Sequence, residues 1–411
     1  MNEKNEKVIL VGCQTTEKDD HFKLSMEELA SLTRTANGEV VSQLVQKRPR
    51  IHNATYIGKG KLEELRNLID QVGADIVIFN NELTPSQLRN ISNHLSVRVL
   101  DRTQLILDIF ALRAKTKEGK LQVELAQLKY LLPRLIGEGT ELSRQAGGIG
   151  TRGPGETKLE SDRRHIRSRI RDVESQISHV KTHRERSRSK RKQNEWIQIA
   201  IVGYTNAGKS TLFNRLTTSD TFEENLLFAT LDTTTRKLKT NSGYEFLVSD
   251  TVGFIQDLPT TLVAAFRSTL EEVLESDFII HVVDCSNEDY ETHEKTVNKL
   301  LLDLGVKEIP IIKIYNKIDM MHPNFIPIND GKFIKISALN PNDIDGVKNE
   351  LINFIKDFSD SFNISISADN GSKIAKIRKQ AIVESIIFNE EKQNYSISGF
   401  VPNWLTHIIK D

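Results

Sequence analysis

The chain has 411 residues, with 56 Lys and Arg against 56 Asp and Glu and a hydrophobic fraction of 38%. That composition excludes a mostly disordered chain and leaves room for roughly two to three domains. The 2 cysteines, Cys13 and Cys285, exclude a disulfide scaffold.

The start, MNEKNEKVIL, is charged and lacks the apolar core of a secretory signal. No apolar run reaches the ~18 residues of a membrane span. A reduced, soluble, cytoplasmic protein is expected, with no membrane partner. Over residues 1–110, short apolar runs alternate with helical patterns. Val8–Val11, Glu39–Val45, Ala74–Phe79 and Val97–Leu100 predict strands, and Ser25–Thr35, Gly60–Gln71 and Pro85–His94 predict helices. The last has Thr84 as N-cap, Pro85 at N1 and Gln87 at N3. Such alternation predicts an N-terminal α/β domain with a mainly parallel sheet. It contains no Walker loop and no GxGxxG; Gly58-Lys59-Gly60-Lys61 reads as a tight turn.

Residues 111–195 have a different rhythm. Leu121, Leu125, Leu128, Leu132 and Leu135 step by four and three, as do Ile166, Ile170, Val173, Ile177 and Val180. Each set lies on one helix face, which predicts a helical hairpin with arms Lys120–Arg134 and Glu160–Lys190. Between the arms, seven of the 19 residues Gly137–Gly155 are glycine, with Arg144, Arg152 and Lys158 along the segment. No helix continues through such a stretch. Glycine with arginine suits close approach to a phosphate backbone, so a partner-binding or switch-contacting loop is expected. Residues 151–195 hold 14 Lys/Arg and 7 Asp/Glu, and Lys181–Lys192 holds seven bases and one acid. Like charges repel unless a polyanion neutralises them, and the lack of interleaved aromatics favours phosphate contact over base stacking.

Residues 196–358 carry the nucleotide signal. Ile197–Val202 predicts a buried strand running into Gly203-Tyr204-Thr205-Asn206-Ala207-Gly208-Lys209-Ser210, a full GxxxxGK[ST], with Thr211 opening a helix through Leu216. Backbone N–H groups of this loop would wrap the β-phosphate, Lys209 would reach the β/γ oxygens, and Ser210 would ligate Mg²⁺. A predicted strand Tyr244–Ser249 ends at Asp250, then Thr251-Val252-Gly253: Asp250 suits Mg²⁺ and the Gly253 N–H the γ-phosphate. Phe278–Val283 and Ile311–Tyr315 predict further strands, the second leading into Asn316-Lys317-Ile318-Asp319. A carboxylate at Asp319 pairs with the ring N–H and exocyclic amine of guanine, which adenine cannot offer, so the substrate is expected to be GTP. Lys317 would lie beneath the base. Phe333–Ile336 predicts the strand before Ser337-Ala338-Leu339, whose backbone would meet the base oxygen.

A GTPase also needs a switch threonine that ligates Mg²⁺ only when the γ-phosphate is present. Thr230, Thr233, Thr234 and Thr235 all qualify by position, and Arg236 follows them. After Gly253 comes Phe254, where many GTPases place a water-orienting glutamine. Slow intrinsic turnover, or water positioning by a partner, is expected. His281 and Cys285 read as core.

The motif Gly147-Gly-Ile-Gly-Thr-Arg-Gly-Pro-Gly-Glu-Thr-Lys-Leu-Glu-Ser-Asp-Arg-Arg164, the basic helix after it, Gly203–Ser210 and Phe228-Ala229-Thr230-Leu-Asp-Thr-Thr-Thr-Arg236 together resemble the HflX family of translational GTPases. The resemblance spans roughly residues 5–360 and implies a Ras-like P-loop GTPase domain. It implies that Thr230 is the switch threonine, with Phe228 and Ala229 beside the nucleotide, and that Lys209, Thr230 and Gly253 serve catalysis. It also implies binding to the 50S subunit and its rRNA, splitting or rescue of 70S ribosomes in the GTP state, and ribosome-stimulated hydrolysis. The N-terminal domain and hairpin would approach the peptidyl transferase region. Thr233 departs from the proline common there, and little effect on chemistry is expected. A 50S assembly GTPase without splitting activity is the alternative.

Residues 359–411 predict a small C-terminal α/β domain: strands Phe362–Ile366 and Tyr395–Ser398, and a helix Gly371–Glu384 bearing Lys373, Lys376, Arg378 and Lys379. The expected whole is an α/β chain in four stretches, 1–110, 111–195, 196–358 and 359–411, acting as a monomer on GTP with Mg²⁺.

Overall fold

The computed structural model describes residues 5–135, 158–193, 196–217, 227–228, 230–240, 243–256, 270–328 and 331–410, with side chains left aside at 158–159, 181–193 and 410. The glycine-rich segment 137–155, Ala229 and the side chains of Lys181–Lys192 therefore lie outside the described residues. Contacts divide the chain into two compact units. One holds Met1–Thr182 with Leu226–Phe228 and Gln256–Arg267; the other holds His183–Asn225, Ala229–Ile255 and Ser268–Asp411.

The first unit is built on a four-stranded parallel sheet, order β2-β1-β3-β4, from β1 (Glu6–Gln14), β2 (Gly38–Lys47), β3 (Ile76–Phe79) and β4 (Arg98–Asp101). Val8, Ile9, Leu10 and Val11 are buried without a break, the near-continuous apolar run of a strand covered on both faces. Helices α1 (Asp19–Thr35), α2 (Lys59–Val72) and α3 (Pro85–Ser92) connect the strands. Thr84 and Gln87 make the reciprocal capping box their spacing predicts. Helix α4 (Arg102–Arg113), capped by the Asp101 carboxylate on the Gln104 N–H, is not among the predicted elements; Leu105, Ile106, Leu107, Ile109 and Phe110 make it a buried helix.

The hairpin arms are α5 (Lys117–Arg134) and α6 (Lys158–Gln193). Val173 is fully buried and Ile166, Ile170 and Ile177 are half-buried, as the heptad stepping requires. Arg169 holds Glu124 through two bonds of 2.6 and 3.0 Å, and Lys129 pairs with Glu174 at 2.8 Å, tying one arm to the other.

The second unit contains a six-stranded sheet, order β10-β9-β8-β5-β7-β6. Strands β5 (Gln198–Gly203), β7 (Glu245–Asp250), β8 (Phe278–Asp284), β9 (Ile311–Asn316) and β10 (Phe333–Lys335) run parallel, and β6 (Thr234–Lys239) pairs antiparallel to β7. Helices α7 (Lys209–Thr217), α8 (Tyr290–Leu304) and α9 (Pro341–Lys356) accompany it. A three-stranded antiparallel sheet, β11-β13-β12, closes the chain: β11 (Ser359–Ser367), β12 (Ile382–Asn389) and β13 (Asn394–Pro402), with α10 (Gly371–Gln380) between β11 and β12. Here the predicted helix Gly371–Glu384 is corrected. It ends at Gln380, Ala381 is already extended, and the β-branched and aromatic run from Ile382 to Phe388 pairs as a strand. The two sheets of this unit share one apolar core that includes Phe278, Ile314, Phe354, Ile382 and Ile397.

Candidate nucleotide site

The Walker loop, Asp250–Gly253, Asn316–Asp319 and Ser337–Leu339 each follow the carboxyl end of a parallel strand, where open α/β sheets leave their ligand crevice. The Walker loop leaves β5, Asp250 ends β7, Asp284 ends β8, and Asn316 ends β9.

Glycine is required at Gly208 on two grounds. Its φ is +91°, and an added Cβ would fall 2.2 Å from the Asn316 Nδ2. Asn316 uses that approach: its Nδ2 donates to the Ala207 carbonyl at 2.9 Å, and its Oδ1 accepts from the Ala338 N–H at 2.9 Å. One side chain thus binds the Walker loop to the Ser337-Ala338-Leu339 loop. Ser337 and Ala338 are buried and Leu339 is exposed; the Ser337 N–H is held by Asp343 at 2.7 Å. Asp319 is exposed.

Lys209 is buried and donates to the Tyr204 carbonyl at 2.7 Å. Burial lowers its pKa to about 8, opposed by the Asp250 carboxylate and assisted by the Lys317 charge. Gly253 lies against it, and an added Cβ would come within 3.0 Å of the Lys209 Nζ. Ser210, Thr230 and Asp250 form a triangle. The Ser210 hydroxyl is 2.8 Å from that of Thr230, and both donate to the Asp250 Oδ2, at 2.9 and 2.8 Å. The other oxygen, Asp250 Oδ1, is buried with no hydrogen-bond partner among the described residues, as is the Thr205 hydroxyl. Burial pushes the Asp250 carboxyl up and the Lys209 ammonium pulls it back. Two hydroxyls and a carboxylate with an unsatisfied oxygen are the hard oxygen donors that Mg²⁺ takes. No group of three or more His, Cys, Asp and Glu that could hold a metal occurs among the described residues.

Of the four candidate threonines, Thr230 is the one that joins this cluster. Thr235 instead lies 2.8 Å from Ser249 on the neighbouring strand. Phe228 groups with the first unit, its ring edge-on to Phe110 with centroids 4.7 Å apart. Phe254 is buried, and its backbone locks to the Walker loop: Thr205 N–H to Phe254 carbonyl at 2.7 Å, Phe254 N–H to Gly203 carbonyl at 3.1 Å. Its side chain offers nothing to orient a water. His281 and Cys285 are buried, as expected.

Two further contacts complete the site. The Tyr204 ring stacks flat on His293 of α8, centroids 3.7 Å apart and planes at 10°. The Lys317 ammonium is held by Asp284 at 2.6 Å. Both partners come from other elements, and spacing along the chain carries no signal for either.

Three family models match the chain: "GTP-binding GTPase N-terminal" over residues 23–111, "GTP-binding GTPase Middle Region" over 113–191, and "50S ribosome-binding GTPase" over 198–317. A curated relative from Alkalihalophilus pseudofirmus, "GTPase HflX", is 56% identical over 394 residues, 96% of this chain and 93% of its own. Another of the same name, from Lacrimispora saccharolytica, is 43% identical over 413 residues, 100% of this chain and 97% of its own. Among solved structures, a complex of SsGBP with GDP is 28% identical, covers 85% of this chain and 98% of that one, and has a TM-score of 0.49.

Proposed function

The chain belongs to the HflX family of GTPases and hydrolyses GTP, and from that premise we propose that it acts on the ribosome, separating or rescuing 70S particles while GTP-bound. The observation that carries the chemical half is the junction of four motifs at one sheet edge: Walker loop, Asp250–Gly253, Asn316–Asp319 and Ser337–Leu339. The reading of the large subunit as partner is supported by the ribosome-binding description of the G-domain family.

In this reading the Walker loop residues Gly203–Ser210 and Thr211 wrap the phosphates, and Lys209 exchanges the Tyr204 carbonyl for phosphate oxygens. Ser210, Thr230 and Asp250 would hold Mg²⁺, which when bound neutralises phosphate charge. The Gly253 N–H meets the γ-phosphate. Asp319 reads guanine, Lys317 lies beneath it, and the Ser337-Ala338-Leu339 backbone meets its oxygen. Because Thr230 and Gly253 both answer to the γ-phosphate, its loss frees two loops together. Phe254 supplies no group to orient the attacking water, so the proposal places that function on the ribosomal partner. The protein works as a cytoplasmic monomer, and among the described residues no helix is long and apolar enough to cross a membrane.

The test is GTP hydrolysis at fixed Mg²⁺, alone and with purified 50S, 30S and 70S, beside light scattering of 70S. Strong stimulation by 50S or 70S is expected, together with GTP-dependent loss of 70S scattering. Stimulation with 70S left intact points to the assembly role instead. No stimulation by any ribosomal species refutes the ribosomal reading.

A further inference from the structure

Asp284 is the last residue of β8, opposite Asn316 in the register with β9. One oxygen, Oδ1, accepts from the Ser286 N–H at 2.9 Å and its hydroxyl at 2.6 Å. The carboxylate is thereby fixed in direction. The other, Oδ2, holds the Lys317 ammonium at 2.6 Å, and both side chains are largely buried, 14% and 19% exposed.

Lys317 has a reason to need this anchor. Its backbone is left-handed, φ +68°, a conformation rare for a long side chain. Its charge also acts on Lys209 across the site. A lysine stem has rotamer freedom to lose when it is ordered. We propose that Asp284 is a positioning residue for the nucleotide base: it pins the Lys317 ammonium so that the stem is laid flat before the base arrives. The entropy of ordering that stem is then met in the free protein instead of at binding. This rests on the reading of Lys317 as the residue beneath the base.

The experiment uses the full chain and four variants: Asp284→Asn, Lys317→Met, the double variant, and Asp319→Asn. Asn at 284 keeps an oxygen for Ser286, and Met at 317 keeps an apolar stem without the charge. Affinities for GDP and GTP are measured by calorimetry, and kcat and KM by phosphate release. Asp284→Asn is expected to weaken both nucleotides by roughly 3- to 10-fold and to raise KM with kcat little changed. In the Lys317→Met background the same substitution should have no effect, because the group it positions is gone. Additive losses in the double variant, an unchanged affinity in Asp284→Asn, or a fall in kcat at constant KM would each overturn the proposal. Should Asp284→Asn alone unfold, the comparison of Lys317→Met with the double variant at a permissive temperature still decides: a further loss of affinity refutes it. Asp319→Asn separates the two readings. A shift from GTP towards XTP upholds the base site whatever Asp284 does, and retention of guanine preference removes the base site itself.

Discussion

Tyr204 occupies the first variable position of the Walker loop, and its ring rests flat on His293. Burial lowers the imidazole from its ordinary 6.5 to about 4, against the pull of Asp284. A histidine whose folded pKa lies below its unfolded one is neutral in the fold and protonated in the unfolded chain between those values. The unfolded state then binds more protons, so stability is complete above about pH 6.5 and is lost as pH falls towards 4. The full shift corresponds to ~3 kcal/mol. His293→Phe keeps a flat ring on Tyr204 and removes the titration. The wild-type melting temperature should therefore fall more steeply between pH 6.5 and 4 than that of the variant. Parallel slopes would show that His293 is not the group responsible. At this scale the sequence is legible where function fixes spacing, as in the Walker loop and Asn316–Asp319. It is silent where a side chain is completed by another element, as for Tyr204 with His293 and Lys317 with Asp284.

Whole elements were legible where apolar periodicity and capping agreed. β1 announces itself by an unbroken buried run, α3 by its capping box, and the hairpin arms by heptad stepping. The elements that periodicity leaves unmarked differ in cause. In β12, Ser385 and Glu384 interrupt an apolar stretch that follows a lysine-rich helix without any Gly or Pro, so nothing local marks where the helix stops. In β6, Thr-Thr-Arg-Lys-Leu-Lys has one buried apolar residue, Leu238, and becomes a strand because β7 offers an antiparallel edge. Helix α4 also shows what a sequence reading undervalues: its first residue, Arg102, is a buried cation. It pairs with Glu28 at 2.5 Å and donates to Asn80 at 3.1 Å, with 3% and 10% of the paired side chains exposed. Removing one partner of such a pair costs far more than the pair contributes over an apolar substitute, about 3–5 kcal/mol. Arg102→Ala should destabilise the first unit by that amount in denaturant unfolding followed by a probe in that unit. A loss under ~1 kcal/mol would mean the site relaxes or admits water.

Charge is the property that only the whole molecule reveals. The chain is neutral in sum, yet residues 151–195 hold twice as many bases as acids, and the remainder carries the compensating negative charge. The excess is concentrated on α6, which continues to Gln193 as a single helix of 36 residues. Seven bases and one acid within Lys181–Lys192 are costly in isolation and favourable against a phosphate backbone. If that segment meets rRNA, its binding is driven by counterion release, and each phosphate neutralised adds about 0.7–0.9 to the slope of log affinity against log salt. Neutralising Arg184, Arg186, Arg188, Lys190, Arg191 and Lys192 should then weaken 50S binding at low salt and flatten the slope by up to ~5. The intrinsic GTPase rate without ribosomes should stay the same, because none of the six lies in a nucleotide motif. A variant that binds 50S as tightly as wild type at every salt concentration would return the segment to a solvated helix end. Loss of affinity with an unchanged slope would point to damage elsewhere in the hairpin, because only lost phosphate contacts alter how many counterions are released.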